Sequence, residues 1–270
     1  LGWLFKNLPT MILTIHGTEL IRFSRNPIEK ALFKSFLKKA DRIHVLSKFN
    51  QNQILKIFPG MKARIMVFPA AAARNLSGFP SNKKENKKQK VKILCVARIH
   101  PRKGQDRLIE ALNKIQDKLK KKIECTFIGP IVNKRFFDDL QKYAKNVECK
   151  ISFLGDLSDK ELKVHYQNSN IFALPSMPRS RSVEGFGMVC LEASSHGLPV
   201  LAHHIGGIED AVKNGETGLL TDPKKPEEFE ACLLNLINNQ PLRVKMGNVG
   251  KKWAQSHSWE ALSQALYNQD

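Results

Sequence analysis

The sequence lacks any apolar run long enough to cross a membrane, and its cysteines lack the spacing of metal ligands. The first absence excludes a membrane-spanning helix in this sequence, and the second excludes a cysteine-built metal centre. The five cysteines are Cys95, Cys125, Cys149, Cys190 and Cys232. Three of them, Cys95, Cys125 and Cys190, lie within apolar segments, so we expect free, buried thiols in a reducing, cytoplasmic compartment.

Acidic residues are also scarce. Lys and Arg number 44 against 25 Asp and Glu, so the formal net charge is +19 and the isoelectric point is about 9.8. A surface this basic attracts nucleic acid, anionic lipid or phosphorylated substrates. We disfavour nucleic acid, because no face interleaves aromatic and basic residues and no known reader motif is present. Residues 81–90, SNKKENKKQK, carry part of the excess and are predicted to be a solvated linker.

Another part of the basic charge lies in residues 28–42, IEKALFKSFLKKADR. Its apolar positions recur at helical spacing and form a stripe bordered by lysines: Ile28, Leu32, Phe33, Phe36 and Leu37 beside Lys30, Lys34, Lys38 and Lys39. The favoured interpretation is a surface helix packed on a core. The alternative is a helix that docks on an anionic membrane surface, which would make the protein peripheral at the inner face of the membrane.

From residue 91 onward, strand and helix patterns alternate. Residues 91–97, VKILCVA, are a nearly continuous apolar run, as expected of a strand covered on both faces. The alternation predicts an α/β fold with a doubly wound parallel sheet and right-handed crossovers. The further elements are helix 106–118, strand 123–129, helix 136–144, strand 151–155, helix 160–167, strand 171–175, helix 187–195, strand 199–203 and helix 208–213.

The first 80 residues are poorer in helices. Residues 11–17, 42–47 and 64–69 predict three short strands, with one long helix between the first two. Three strands are few for an independent doubly wound domain, so we expect the second half of a larger domain, with an amino-terminal portion missing. The predicted organisation is a partial amino-terminal Rossmann-like domain (1–80), a linker (81–90), a donor-binding Rossmann-like domain (91–256) and a terminal helix (257–270) that could cross back to the first domain.

Two cations follow the first strand of the second domain. Arg98 and Lys103 lie in the loop after the carboxyl end of a parallel strand, which is where open α/β sheets bind ligands. Arginine is a planar fork and lysine a point charge, and together they can neutralise a diphosphate. The alternative is a solvated basic loop. Arg102 and Arg107, in the same stretch, are less clearly placed.

The most informative stretch is residues 181–200, RSVEGFGMVCLEASSHGLPV. It sets Glu184 eight residues before Glu192, with Gly185 and Gly187 between them and a predicted helix following. Glycines permit close backbone approach, free amides at a helix start hold anions, and carboxylates accept hydrogen bonds from hydroxyls. This pattern suits a sugar attached to a diphosphate. Either acid alone has an ordinary explanation, because a glutamate near a helix start is favourable through the helix dipole.

Together these elements resemble the retaining glycosyltransferases of the GT-B fold, glycosyltransferase family four. The resemblance spans residues 91–222 and rests on ARIHPRKGQDRLIEAL, ISFLGDLSDKEL, the run from IFALP to IEDAV, and NGETGLL. Within the family, PRKGQD and the stretch from ALPS to LEA are most similar to bacterial phosphatidylinositol-mannoside mannosyltransferases. The resemblance implies a GT-B fold with two Rossmann-like doubly wound domains, the amino-terminal one incomplete.

The resemblance also implies roles for matching residues. Arg98 and Lys103 would clamp the donor diphosphate and stabilise the departing nucleotide. Glu184 would bind the transferred sugar, and Glu192 would bind the ribose hydroxyls. His16, after the first strand, would face the donor sugar across the cleft, although a lone histidine there also has a structural interpretation. The backbone around the sugar and phosphates would come from Gly185, Phe186, Gly187, Met188 and Val189.

The implied reaction moves a hexose, mannose by the finer resemblance, from GDP-mannose or a UDP-sugar to a lipid-linked or polysaccharide acceptor of the cell envelope, with retention at the anomeric carbon. No cofactor or metal is expected, and the sequence has no Asp-x-Asp pair. The opening strand and glycine-rich loop of the family have no counterpart here. One alternative is therefore a non-catalytic nucleotide-sugar-binding remnant. Another is a sugar-nucleotide epimerase of the same fold, which would share the phosphate loops.

Overall fold

The structure is a computed structural model that describes residues 11–73, 90–179 and 182–267. Its strands are β1 (Ile12–Ile15), β2 (Arg42–Val45), β3 (Ile65–Val67), β4 (Val91–Val96), β5 (Ile123–Ile128), β6 (Lys150–Phe153), β7 (Ile171–Leu174), β8 (Val200–His203) and β9 (Gly218–Thr221). They form two parallel sheets. The first has the order β1-β2-β3, and the second has the order β6-β5-β4-β7-β8-β9.

Helices connect these strands, as the sequence pattern predicts for a parallel sheet. They are α1 (Thr18–Phe23), α2 (Pro27–Lys39), α3 (Lys48–Ile57), α4 (Gln105–Asn113), α5 (Asp117–Lys120), α6 (Lys134–Lys145), α7 (Asp159–Asn168), α8 (Met188–Ser195), α9 (Ile208–Ala211), α10 (Pro226–Asn238), α11 (Gln240–Gln255) and α12 (Trp259–Tyr267).

The second sheet confirms the predicted doubly wound fold. The chain runs outward from the central β4 through β5 and β6, then returns and runs outward on the other side through β7, β8 and β9. The gap between the carboxyl ends of β4 and β7 is therefore a topological switch point, where open α/β sheets bind ligands. Every residue of β7 and β8 is buried, because helices cover both faces of the sheet. This explains the apolar runs of the sequence.

The long helix expected between β1 and β2 is α2, but a second, six-residue helix that was not predicted, α1, precedes it in this interval. The side-chain oxygen of Asn26 accepts hydrogen bonds from the N–H groups of Ile28 and Glu29. Pro27 occupies the first helical position, where a missing N–H costs nothing. Asparagine at the cap and proline behind it start a new helix, so the chain turns at this point.

The amphipathic stripe on α2 is divided. Phe33 and Leu37 pack on the core of the first sheet, where the Phe33 ring stacks on Phe23. This confirms the interpretation of a surface helix packed on a core. The other three apolar side chains of the stripe, Ile28, Leu32 and Phe36, stay exposed.

Two other predicted elements differ in their limits, and one strand was not predicted. The helix predicted over 106–118 ends at Asn113, because the chain turns at Lys114 and buries Ile115. The helix predicted over 208–213 ends at Ala211. β9 was not predicted, since four residues beginning with glycine carry too little alternation.

The helix predicted over 257–270 is α12 (Trp259–Tyr267), and residues 256–258 separate it from the end of α11. The hydroxyl of Ser258 accepts a hydrogen bond from the N–H of Ala261 and thereby begins α12. α12 lies against the first sheet: the indole N–H of Trp259 donates to the Ala72 carbonyl at 2.9 Å. In the same way, Nη1 of Arg42, in β2, donates to the carbonyl of Leu266, in α12, at 2.7 Å.

The remaining expectations concern the linker, the thiols and the membrane. Residues 81–89 of the predicted linker 81–90 lie outside the described residues. All five cysteines are free thiols and four are buried, as predicted. Burial raises the pKa of Cys95 to about 12. Within the described ranges, the helices are too short or too polar to traverse a bilayer.

Candidate functional site

The loops that leave β4 and β7 meet at the switch point. The N–H of Met177 donates to the carbonyl of Arg102 at 2.7 Å. Gly104 precedes α4 with φ +68°, and a Cβ there would lie 1.8 Å from the carbonyl oxygen of Pro175. Glycine alone permits both the backbone conformation and this approach. The contact sets the PRKG loop beside the loop that leads to Glu184.

Glu184 lies at the centre of this junction, and its side chain is only 9% exposed. Its Oε1 accepts hydrogen bonds from Nη1 of Arg102 at 2.6 Å, from Nζ of Lys103 at 2.6 Å and from Oγ of Ser176 at 3.0 Å. Among the described residues, none donates to Oε2. One carboxylate is therefore paired with two cations, and the cluster carries an excess positive charge.

The charge state of Glu184 follows from these partners. Burial alone would raise the pKa of this carboxyl, because desolvation disfavours the ionised form. The charges of Lys103 and Arg102, with hydrogen bonds from Lys103 and Ser176, outweigh burial, and the pKa of Glu184 is lowered. Glu184 is thus an ionised acceptor at neutral pH.

More positive charge surrounds this cluster. Burial, and then the charges of Arg102, Arg98, Arg179 and Lys103, lower the pKa of His100. These cations lie close enough together to act on one group, so they would also act together on a bound anion. Arg98 is exposed, and its side chain forms no ion pair with any described residue. It lies at the predicted edge of the sheet but is not part of the Glu184 cluster.

The helix after Glu184 begins as predicted. Gly187 precedes α8 with φ +88°. In the described chain no backbone acceptor receives the N–H groups of Met188 and Val189, which leaves them available to an anion. The ring of Phe186 is buried, with its centroid 6.3 Å from that of His257. Only the backbone of Phe186 can therefore reach a ligand.

Glu192 has a different environment from Glu184. Its Oε2 accepts a hydrogen bond from the Tyr166 hydroxyl at 3.0 Å. Burial raises the pKa of Glu192, against the opposing effect of hydrogen bonds from Tyr166 and from the backbone of Ala73. Ala73 follows the first sheet, so Glu192 lies where the chain passes from one sheet to the other. No cation stabilises its charge in the described structure.

The first sheet closes over the turn that follows Glu184. Oγ of Ser47 donates to the Gly185 carbonyl at 2.6 Å. Nδ2 of Asn50 donates to the carbonyls of His16 and Gly185, at 3.2 and 3.3 Å. A Cβ on Gly185 would lie 1.8 Å from the carbonyl oxygen of His16, so only glycine fits here. His16 is therefore brought to the Glu184 turn, with its side chain exposed.

A second contact joins the two sheets near the same place. Oδ2 of Asp210, in α9, accepts a hydrogen bond from the N–H of Lys48 at 3.0 Å. Lys48 is the first residue of α3, where the helix dipole favours a negative charge. Burial raises the pKa of Asp210, although hydrogen bonds from the Lys48 and Phe49 backbone oppose this.

The structure thus gathers Glu184, Lys103, Gly185 and the backbone of His16 at one point, with Arg98 and the start of α8 at the same sheet edge. The sequence interpretation did not assign four residues that bond to this centre: Arg102, Ser176, Ser47 and Asn50. The only signal for Arg102 was its position beside Lys103. The described residues include no group of three histidine, cysteine or acidic side chains able to hold a metal ion.

Known proteins resemble this chain in sequence and in fold. The chain is 25% identical, over 266 residues, to a GDP-mannose-dependent alpha-(1-6)-phosphatidylinositol monomannoside mannosyltransferase of Mycobacterium tuberculosis, covering 95% of this chain and 68% of that protein. It is 29% identical to an uncharacterised glycosyltransferase of Methanocaldococcus jannaschii, covering 96% and 68% of the two chains. Among solved structures, Anabaena HepE in complex with UDP and glucose superposes with a TM-score of 0.77 at 19% identity, covering 96% and 71%.

The likeness to HepE concerns the fold alone, and that fold is GT-B, with parallel sheets in an α/β architecture. The family assignment rests on a separate match. Residues 78–253, more than half of the chain, match the family described as "Glycosyl transferases group 1". The chain belongs to the group 1 glycosyltransferases.

Proposed function

We propose that this protein transfers a hexose from a nucleotide diphosphate sugar to a hydroxyl acceptor, with retention at the anomeric carbon. The observation that carries the proposal is the buried Glu184 cluster, which opens beside the free amides of α8 at the switch point of the second sheet. It combines an ionised acceptor for a sugar hydroxyl with an excess of positive charge for a diphosphate. Both halves of such a donor would be recognised within one junction.

The donor would be bound in parts. Lys103, Arg98 and the N–H groups at the start of α8 would hold the diphosphate, since cations and helix starts both favour anions. Oε2 of Glu184, which no described group occupies, would accept a hydrogen bond from the sugar. Glu192 would accept hydrogen bonds from the ribose, after giving up its bond to the Ala73 backbone.

The chemical step would rest on the leaving group. The bond between the anomeric carbon and the diphosphate oxygen breaks, and its electron pair leaves with the diphosphate. The acceptor oxygen bonds to the anomeric carbon on the same face, and its proton passes to a departing phosphate oxygen. The cations and amides stabilise the charge that develops on the diphosphate. Glu184 and His16 would position the sugar.

For the donor we propose GDP-mannose first and UDP-sugars second. The Mycobacterium tuberculosis relative is named as GDP-mannose-dependent, and HepE was solved with UDP. The acceptor would be a lipid-linked glycan or a polysaccharide of the cell envelope. The enzyme would work without a metal ion.

The test is a binding panel followed by product analysis. In a thermal-shift assay with GDP-mannose, UDP-glucose, GDP and UDP, the melting temperature should rise with the ligands of one base. The reason is that a ligand that binds the native state stabilises the folded protein. Glu184→Ala should then abolish most turnover while GDP or UDP still binds. Binding of the nucleotide sugar without any turnover would favour the non-catalytic remnant, and conversion to an epimeric or free sugar would favour the epimerase. No binding to any nucleotide would refute the proposal.

We also propose that the protein meets its acceptor at an anionic membrane surface. Three large side chains on one face of α2 stay exposed, Ile28 at 72%, Leu32 at 58% and Phe36 at 56%. Their spacing of four residues sets them in one row. The exposed basic side chains on the same helix are Lys30, Lys34, Lys38 and Lys39. An apolar row bordered by cations is complementary to anionic lipid.

Vesicle sedimentation tests this surface. The protein should sediment with phosphatidylglycerol-rich vesicles, release in high salt, and bind pure phosphatidylcholine weakly. The triple variant Ile28→Ser/Leu32→Ser/Phe36→Ser should lose vesicle binding. The control variant Leu234→Ser/Val244→Ser, which removes exposed apolar side chains from α10 and α11, should keep it. Equal binding by both variants would refute this role of α2, and dimerisation through the row would assign it to a second copy of the chain.

A further inference from the structure

Arg102 is the group that the site description leaves without a role. It lies in a short 3-10 turn, Pro101–Lys103, between β4 and α4. Its side chain is 9% exposed, and its Nη1 is 2.6 Å from Oε1 of Glu184. A buried guanidinium without a partner would be strongly unfavourable, so its location depends on Glu184.

The backbone of Arg102 is held on both sides. Its N–H donates to Nδ1 of His100 at 3.0 Å, and its carbonyl accepts from the N–H of Met177 at 2.7 Å. Met177 belongs to the loop that leads to Glu184. Arg102 is thus fixed to both loops of the junction, and its guanidinium has little freedom to leave.

Lys103 differs from Arg102 in two respects. Its side chain is somewhat more exposed, 13% against 9%, and its ammonium ends a flexible four-carbon chain. Both cations bond the same oxygen, Oε1, although one would suffice to balance the charge. When a diphosphate arrives, the cluster can give up one cation and become neutral.

We infer that Arg102 is the positioning residue of Glu184, which keeps this carboxylate in place when Lys103 moves to the donor diphosphate. The exchange rests on the proposed function. In the structure both cations bond Oε1. In the donor complex Arg102 and Ser176 retain Oε1, Oε2 accepts the sugar hydroxyl, and Lys103 bonds a phosphate oxygen. Arg102 thereby acts on the sugar only through Glu184.

The test separates the sugar from the nucleotide. Dissociation constants are measured by calorimetry for GDP-mannose and GDP, or for UDP-glucose and UDP if the panel selects that base. Arg102→Ala should raise the dissociation constant of the nucleotide sugar by about tenfold to a hundredfold, the range expected for the loss of one hydrogen bond to a charged group. The sugar-free nucleotide should change by less than about threefold. Lys103→Ala should weaken both ligands alike.

Further variants isolate the route through Glu184. Arg102→Ala in the Glu184→Gln background should add little to the loss of nucleotide-sugar affinity that Glu184→Gln already causes, because the effects of substituting coupled residues are not additive. Arg102→Lys should bind the nucleotide sugar more tightly than Arg102→Ala does. It replaces Arg102→Ala in the comparison if that variant folds poorly. Arg107→Ala is the matched control, because Arg107 is an exposed arginine in α4, the helix that follows this turn, and pairs with Glu110 at 2.9 Å.

Each other outcome overturns the inference in a distinct way. An equal loss for both ligands would make Arg102 a direct diphosphate ligand or a structural residue. Unchanged binding, with or without a lower melting temperature, would limit it to stability. Additive losses in the double variant would exclude an action through Glu184. A wild-type chain that binds neither the nucleotide nor the nucleotide sugar would refute the proposed function, and the inference would fall with it.

Discussion

Glu184→Gln offers the sharpest test of the electrostatics of the site. The substitution keeps the size and shape of the side chain and removes its charge. Arg102 and Lys103, each 2.6 Å from Oε1, would then share a buried amide in place of a carboxylate. The amide oxygen can accept a hydrogen bond from one cation. Because the amide is neutral, it no longer offsets the electrostatic repulsion between Arg102 and Lys103.

The expected cost is large. Removing one partner of a buried ion pair costs about 3–5 kcal/mol, because the other charge stays buried. Lys103 can move toward solvent, so we expect the free energy of unfolding to fall by about 3 kcal/mol. For a chain of this size each kcal/mol lowers the melting temperature by about 2–4 °C, which gives a drop of about 6–12 °C.

The assay is urea unfolding and thermal melting at neutral pH, with and without pyrophosphate. Pyrophosphate should stabilise Glu184→Gln more than the wild type, since it supplies the missing negative charge. Glu110→Gln is the control: its partner is the exposed Arg107, and the pair should contribute less than about 1 kcal/mol. Equal midpoints for wild type and Glu184→Gln would refute the reasoning.

Acidification gives an independent check with a defined sign. The pKa of Glu184 is lowered in the folded protein from its ordinary value of 4.5. Its contribution to stability is therefore fully present above pH 4.5 and is lost as the pH falls through the lowered pKa. The stability difference between wild type and Glu184→Gln should be constant near neutral pH and shrink in acid. A difference that grows on acidification would contradict the charge assignment.

Two further predictions concern the contact between the sheets. Gly185→Ala should cost about 1–3 kcal/mol and weaken donor binding, because its Cβ would meet the His16 carbonyl oxygen at 1.8 Å; unchanged urea midpoints and affinity would count against the contact. Asp210→Ala should cost about 1 kcal/mol, since it removes a carboxylate from the N-terminus of α3 at Lys48; an unaltered urea unfolding midpoint would show that this contact contributes nothing.

The sequence predicted much of the second sheet and part of the site. Strand and helix patterns placed the doubly wound order, and the rule for switch points then placed Lys103 and Glu184 at one edge. The short helix α1 and its break from α2 were not predicted, although Asn26 and Pro27 carry the chemistry of the break, because the apolar stripe begins only at Ile28. β9 was missed because four residues hold too little pattern.

Local pattern therefore determined the fold class, the edge of the sheet at which the candidate site lies and the two acids around the glycine turn. Only the tertiary structure decided the partners of those acids. Arg102 and Glu184 are 82 residues apart, and no periodicity encodes which of two adjacent cations is held and which can leave. The same limit holds for Gly185 against His16, because such contacts arise only when the loops of two sheets are packed together. Burial raises the pKa of both acids, but the cations beside Glu184 outweigh burial and lower its pKa, whereas no cation among the described residues does so for Glu192.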